Sequence, residues 1–351
     1  MDLGSASVAE WDGSGQFADT LALADQLGDA LWRVESAGIT AQDSPGGLVV
    51  AGVGGSGIGG LLARVALGDH ASRPILLARG YGLPPWTTPD TTVLCVSYSG
   101  ETEETLACFE AAGALGTQRV VASTGGSLAA LAREEGVAVI PLPAGFQSRS
   151  AVAYMLVSAL EVAALCGAGP RVAAEIDVAA GHLRALAEQW GPASGEGTKA
   201  KSLARALHGT IPVIVGAALT GPVSYRWKTQ INANAKVHAF SNTLPEADHN
   251  ELAGWSGGGE LGPYTAVFLD DSGTHPRMKS RMELTRCLVS ATARGTHRVE
   301  SFGETALERV LSLVLLGDLV SLYMAVLRGV DPTPVEAIST LKRELALRSE
   351  P

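Results

Sequence analysis

Three hydroxyls crowd into six residues at Ser97, Ser99 and Thr102, directly after the apolar run Val93-Leu94-Cys95-Val96 and around the acidic Glu101, Glu103 and Glu104. Hydroxyls at this density suit an oxyanion, a phosphate or a carboxylate, when backbone N–H groups face the same way. The apolar run predicts a buried strand, and the acidic residues predict the first turn of a helix, where the macrodipole favours them. The hydroxyls therefore fall at a strand-to-helix turn, where unpaired N–H groups point outward. A simpler role competes, in which Ser99 or Thr102 only caps the helix.

A second turn of this kind is Gly52-Val53-Gly54-Gly55-Ser56-Gly57, between the strand-like Leu48-Val49-Val50-Ala51 and a helix running to Leu67. Gly52, Gly54 and Gly57 spell GxGxxG, the dinucleotide fingerprint. The next strand nevertheless ends in Arg79 instead of the acid a ribose needs, which leaves NADP as an alternative only. Two converging turns suit one small phosphate better. Gly54 and Gly55 let the backbone close on it, and Ser56 adds a hydroxyl.

The elements that must position these turns follow from periodicity. Residues 1–15 are Gly- and Ser-rich and read as loosely held, and Phe17 to Val34 has helical spacing. Further strands are expected at Pro74-Ile75-Leu76-Leu77, Arg119-Val120-Val121-Ala122 and Ala138-Val139-Ile140, with a helix over Leu128 to Glu135. Such alternation means a parallel sheet with helices on both faces. Helices over Ser150 to Cys166 and Arg171 to Trp190 lead to the breaker-rich Gly191-Pro192-Ala193-Ser194-Gly195-Glu196-Gly197, a linker by composition. The pattern then restarts with a strand at Ile211 to Val215, a glycine turn, a helix, a strand near Thr265 to Leu269, a helix from Pro276, a strand at His297 to Glu300 and two final helices. The turn at Gly216-Ala217-Ala218-Leu219-Thr220-Gly221 carries fewer hydroxyls, so only the first half is expected to hold an anion. The domains expected are residues 1–167, a connecting helix and linker over 168–197, and 198–351.

The bulk numbers agree. A chain of 351 residues with 46% hydrophobic content has enough apolar mass for two ordinary domains, and 42 glycines with only 5% aromatics suit tight βα turns. A net charge of -10 without a basic stripe argues against nucleic acid. Cys95, Cys108, Cys166 and Cys287 lack CxxC spacing and read as buried thiols, implying neither disulfide nor zinc. The longest apolar stretch, Val310 to Leu327, holds Gly317 and Asp318 near its middle, favouring a core helix over a membrane span, and the start has no signal-peptide pattern, making the cytoplasm the expected location.

Several segments together resemble a known family. Gly54 to Gly60, Ser97 to Thr105, Gln147-Ser148-Arg149-Ser150-Ala151, Tyr225 to Asn232, Pro245-Glu246-Ala247-Asp248-His249-Asn250-Glu251 and Gly329 to Glu336 are similar, in this order, to the sugar isomerase (SIS) fold. More narrowly they resemble the bifunctional phosphoglucose/phosphomannose isomerases. The resemblance implies two flavodoxin-like SIS domains, a tight homodimer, a hexose 6-phosphate substrate and no metal or cofactor. It implies phosphate contacts at Ser56, Ser97, Ser99 and Thr102 beside the Gly54-Gly55 backbone, enediolate stabilisation by Arg149, and ring opening by His249 and Lys342. A guanidinium suits the Arg149 role because it stays charged and offers several donors to a developing oxyanion.

One position departs from that pattern. Aldose–ketose isomerisation needs a base that moves a proton between C2 and C1, and the family carries a glutamate for it in an Asn-Glu-Asn-Ala-Lys segment. Here the segment reads Asn232-Ala233-Asn234-Ala235-Lys236, and a methyl group accepts no proton. Loss of a general base costs about 10²- to 10⁴-fold in rate. The sequence leaves open a variant disabled by substitution, a natural relative without isomerase activity, an enzyme that recruits another carboxylate, and a non-catalytic SIS module that senses a sugar phosphate.

Overall fold

The computed structural model describes residues 2–348. Two parallel sheets organise the chain. The first contains β1 (Leu48–Ala51), β2 (Ile75–Ala78), β3 (Thr92–Val96), β4 (Gln118–Ser123) and β5 (Ala138–Pro141) in the order β2-β1-β3-β4-β5. Register is set by Ala51, which pairs with Ala78 on one side and Cys95 on the other. The residues of β1 and β3 are all buried, as continuous apolar runs covered by helices on both faces require. Pro74 falls just outside β2, and its carbonyl accepts Leu48 N at 2.9 Å.

The second sheet contains β6 (Ile211–Ala217), β7 (Phe240–Leu244), β8 (Tyr264–Asp270) and β9 (Gly295–Glu300) in the order β7-β6-β8-β9. Its first four positions repeat the order of the first sheet, so the second half is an incomplete copy of the first. Strand β7 is absent from the sequence expectation because Phe-Ser-Asn-Thr-Leu is polar and sits at a sheet edge with only Leu244 buried. The helix Glu251–Leu261, also unforeseen, holds four glycines and buries no residue.

Helices Val152–Leu165 and Ala306–Arg328 lie in the middle of the molecule and are buried almost end to end. Ala306–Arg328 is long and apolar enough to span a bilayer, yet its apolar stretch is covered by the protein itself. One hydrophobic cluster runs from Leu48 and Val50 through both of these helices to Val267 and Val299, so the two sheets share an interior.

Three expectations are corrected. The described part of the 1–15 stretch, from residue 2 on, is not loosely held: Ser5–Trp11 is a helix, Leu3 is fully buried, and Leu3 N bonds the Glu196 carboxylate. The breaker-rich 191–197 stretch is a pinned turn and not a free linker. The fully buried Lys201 ammonium donates to Pro192 O at 3.0 Å, Ser194 O at 2.7 Å and Glu196 Oε1 at 3.4 Å. Cys287 is exposed, on a helix whose neighbours Leu284 and Leu288 also face outward, whereas Cys95, Cys108 and Cys166 are buried.

Candidate active site

The two hydroxyl-bearing turns meet at the β1/β3 switch point, where strand order reverses and a crevice opens at the strands' carboxyl ends. Tyr98 N donates to Ser56 Oγ at 3.1 Å, which ties the β3 turn to the β1 turn. Ser97 is fully buried; its hydroxyl donates to Thr102 Oγ1 at 3.0 Å and accepts Gly100 N at 3.1 Å. Ser99 is exposed and accepts Glu101 N at 3.3 Å. Thr102 occupies the cap position of helix Glu103–Leu115 without its side chain capping it, and the helix Gly55–Leu67 also lacks a side-chain cap. The simple capping role is therefore not taken up, and two helix N-termini face the crevice with backbone donors to spare.

Backbone geometry makes this approach tight. Gly100 has φ +75°, and a Cβ there would lie 2.0 Å from Gly125 O, so only glycine fits. The nearby Glu101 carboxylate is held by Ser127, accepting its N–H and its hydroxyl at 2.8 Å each, which ties that negative charge to the neighbouring helix.

Arg149 reaches the same crevice from another direction. A Cβ on Gly55 would lie 3.0 Å from Ser148 O and 3.1 Å from Arg149 N, so the phosphate-type loop and the Arg149 backbone are in contact. Tyr98 fixes the approach to Arg149, donating to Pro143 O at 2.8 Å and accepting Phe146 N at 2.9 Å. The guanidinium itself is fixed by Asn234 Oδ1 at 2.7 Å from Nε, and by Pro332 O at 2.8 Å and Thr333 O at 3.0 Å from Nη2. Its Nη1 makes a longer bond to Gln147 Oε1 at 3.4 Å. Burial lowers the Arg149 pKa from its ordinary value, with Asp331 opposing, Arg226 adding and Asp318 opposing.

Behind Arg149 stands a buried ion pair. Arg226 Nη2 meets Asp318 Oδ2 at 2.5 Å and Nε meets Oδ1 at 3.1 Å, while Nη2 also donates to Arg149 O at 2.9 Å. Asn234 Nδ2 bonds Ser321 Oγ at 2.9 Å, which fixes the amide that holds Arg149.

Ala233 lies one residue from Asn234, in the single π-helical turn Ile231–Ala235 that ends helix Thr220–Gln230. Such turns interrupt the regular ladder and recur at functional sites. The structure thus puts Ala233 on the element that grips Arg149. It does not bring His249 or Lys342 to them within one chain: His249 is exposed on a short 3₁₀ turn, and Lys342 is exposed on helix Glu336–Leu347. Ile338, Leu341 and Leu345 on that helix are also exposed, so its apolar stripe has no cover among the described residues.

Residues 196–345 match the bacterial phospho-glucose isomerase C-terminal SIS domain. A bifunctional phosphoglucose/phosphomannose isomerase of Caldicellulosiruptor bescii is 37% identical over 302 residues, covering 85% of this chain and 89% of the relative. The chain belongs to the bifunctional phosphoglucose/phosphomannose isomerase family. A protein of the same name from Aquifex aeolicus is 36% identical over 301 residues, covering 85% of this chain and 90% of its own length. A hypothetical protein of Thermus thermophilus, solved by crystallography, has a TM-score of 0.71 at 17% identity over 97% of this chain and 93% of that one, a likeness of fold alone.

Within this family member, sequence reasoning passed over Asn234, Tyr98 and the Arg226–Asp318 pair. Each lay inside or beside a segment already singled out. Their roles depend on contacts across more than 40 residues, which spacing does not encode.

Proposed function

We propose that the chain is a sugar-phosphate aldose–ketose isomerase of low turnover, converting glucose 6-phosphate or mannose 6-phosphate to fructose 6-phosphate through an enediolate. The observation that carries this reading is the contact of the Gly54-Gly55-Ser56 loop with Arg149, whose guanidinium is gripped by the turn that contains Ala233. The phosphate lies on Ser56, Ser97, Ser99 and Thr102 and the backbone donors of Gly54 and Gly55, where a helix dipole adds up to ~2 kcal/mol. Arg149 then faces the sugar's C1–C2 end.

As the C2 proton leaves, the C–H electron pair forms the C1=C2 bond and the carbonyl pair moves onto O1. A proton then passes from O2 to O1, the O2 electron pair forms the C2=O bond, and the C1=C2 pair takes up a proton at C1 to give the ketose. Arg149 offsets the charge that grows on the oxygens. With no carboxylate at 233 the proton passes to solvent water, a weak base, which limits the rate. Ring opening by His249 and Lys342 requires a second copy of the chain that covers the stripe of Ile338, Leu341 and Leu345 and carries these side chains to the crevice, so the active form is a homodimer.

Ala233 also favours a second reading, a non-catalytic module that binds a hexose phosphate and signals it. A coupled isomerisation assay on the chain and on Ala233→Glu, beside calorimetric binding of fructose 6-phosphate, separates the two. Turnover restored in the variant supports the isomerase; binding without turnover in either supports the module, and absence of binding overturns both.

A further inference from the structure

A second cation stands beside Arg149. Lys236 Nζ donates to Pro332 O at 3.0 Å, the same carbonyl oxygen that accepts Arg149 Nη2 at 2.8 Å, and to Ala233 O at 2.5 Å. One neutral oxygen therefore lies between an ammonium and a guanidinium. Lys236 is held there against local preference, in the left-handed backbone region with φ +55°. Arg328 Nη1 fixes that conformation by donating to Ala235 O at 3.0 Å and Lys236 O at 2.6 Å.

A donor count gives the arrangement its meaning. A guanidinium has five N–H groups, and Arg149 commits four of them, to Asn234, Gln147, Pro332 and Thr333. An ammonium has three, and Lys236 commits two. Among the described residues each cation thus keeps one uncommitted N–H, and an enediolate has two neighbouring oxygens, O1 and O2. We propose that Lys236 is a further catalytic residue, donating its third N–H to one enediolate oxygen while Arg149 donates its free N–H to the other. This rests on the sugar-phosphate reading above.

The electrostatics agree. Burial first, then Arg149, lower the Lys236 pKa from its ordinary value, with Asp331 opposing. Asp331 also opposes the lowering at Arg149, where Asp318 adds a smaller effect while paired with Arg226, so the two cations share Asp331 and an incoming oxyanion supplies further counter-charge. The interaction grows with charge on O1 and O2, so it favours the enediolate over the sugar, as transition-state stabilisation requires.

The test uses binding, because turnover depends on position 233 as well. Two ligands share the phosphate and the chain length: the hydroxamate of 5-phosphoarabinonic acid, a planar mimic of the enediolate, and glucitol 6-phosphate, which is saturated and carries no such charge. Calorimetry on the full chain is expected to give a hydroxamate affinity about tenfold to a hundredfold weaker in Lys236→Met, the loss of one charge-assisted hydrogen bond. Glucitol 6-phosphate is expected to bind the variant as it binds the parent, which also reports that the variant is folded. Lys236→Arg should recover most of the hydroxamate affinity. Equal weakening of both ligands, or an unchanged hydroxamate affinity, would overturn the role of Lys236 while leaving the isomerase reading intact. Failure of the parent chain to bind either ligand would overturn that reading and this inference with it.

Discussion

The two sheets carry the same turns at the same places and treat them in opposite ways. After β1 and β3 the helix caps are left unused, Ser56 joins one turn to the other by accepting Tyr98 N, Ser97 bonds Thr102 within its own turn, and backbone donors remain open. After β6 the Thr220 hydroxyl accepts Ala217 N at 2.9 Å and donates toward Ala217 O and Leu269 O, and it is buried. After β8 the chain presents Asp270 and Asp271, locked by Arg298 and Arg309 and unsuited to a phosphate. An anion site of this fold is thus a place where polar groups are left unspent. The second half instead gives the crevice its π-helical turn and the arginine that backs Arg149.

If the second half supplies the proton-transfer position and the first supplies the grip and Arg149, repairing position 233 should have the largest effect. Ala233→Glu is expected to raise turnover by about 10²- to 10⁴-fold with little change in fructose 6-phosphate affinity. A stopped-time coupled assay checks the first part and calorimetry the second. A gain in affinity with no gain in rate would put the proton-transfer step elsewhere.

Next in size is the buried pair that the second half sets behind Arg149. Asp318→Asn leaves the Arg226 guanidinium buried without its counter-charge, a loss of about 3–5 kcal/mol. Urea unfolding should record it as a lower midpoint at unchanged slope. Because Arg226 also donates to Arg149 O, what folded protein remains should bind the enediolate mimic less tightly, whereas an unaltered affinity would mean that Arg149 holds its position without this support.

A smaller effect separates the turns themselves. Thr102→Val is expected to weaken hexose phosphate binding by about tenfold, the worth of one hydrogen bond to a charged group, with a modest change in stability. Thr220→Val should do the reverse: binding unchanged, and stability lower by about 1–3 kcal/mol because Ala217 N loses its buried partner. Equal behaviour of the two variants would erase the distinction between an open turn and a closed one.

The sequence makes the first half legible and the second less so, for reasons visible in particular residues. Leu48 to Ala51 and Val93 to Val96 are unbroken apolar runs followed by glycine or hydroxyl turns, a pattern that buried parallel strands impose. Phe240–Leu244 carries Ser241, Asn242 and Thr243 on an edge, where only one neighbouring strand must be satisfied, so its pattern fades. The crevice shows the same division. Ser56, Ser97 and Arg149 announce themselves by motif, but the grip of Asn234 on Arg149 spans 85 positions and the shared Pro332 carbonyl spans 183. Spacing along a chain encodes neighbours on one element; which elements meet is decided by the shared interior. That interior is also why residues 2–15 are held, since Leu3 and Val8 have a cluster to enter.

The smallest effect asks whether the halves, so different at their turns, yield as one body. His297 on β9 pairs with Val267 of β8, and burial holds its imidazole below the ordinary histidine pKa. The unfolded chain takes up this proton near pH 6.5, whereas the folded chain does so only at a lower pH. Between those values the unfolded state binds more protons, so stability falls as pH falls through that window and is unaffected well above it. The slope should stay below about one proton per molecule, since the ring is only half-buried, and His297→Gln should remove it. The cluster containing Leu94 and Val96 of β3 also contains Val267 and Leu269 of β8, so acidification should lower the amide protection factors, taken against the intrinsic rate at each pH, in both strands together. Lower protection in β8 with β3 unmoved would mean that the closed half opens alone, and that the shared interior transmits less than its continuity implies.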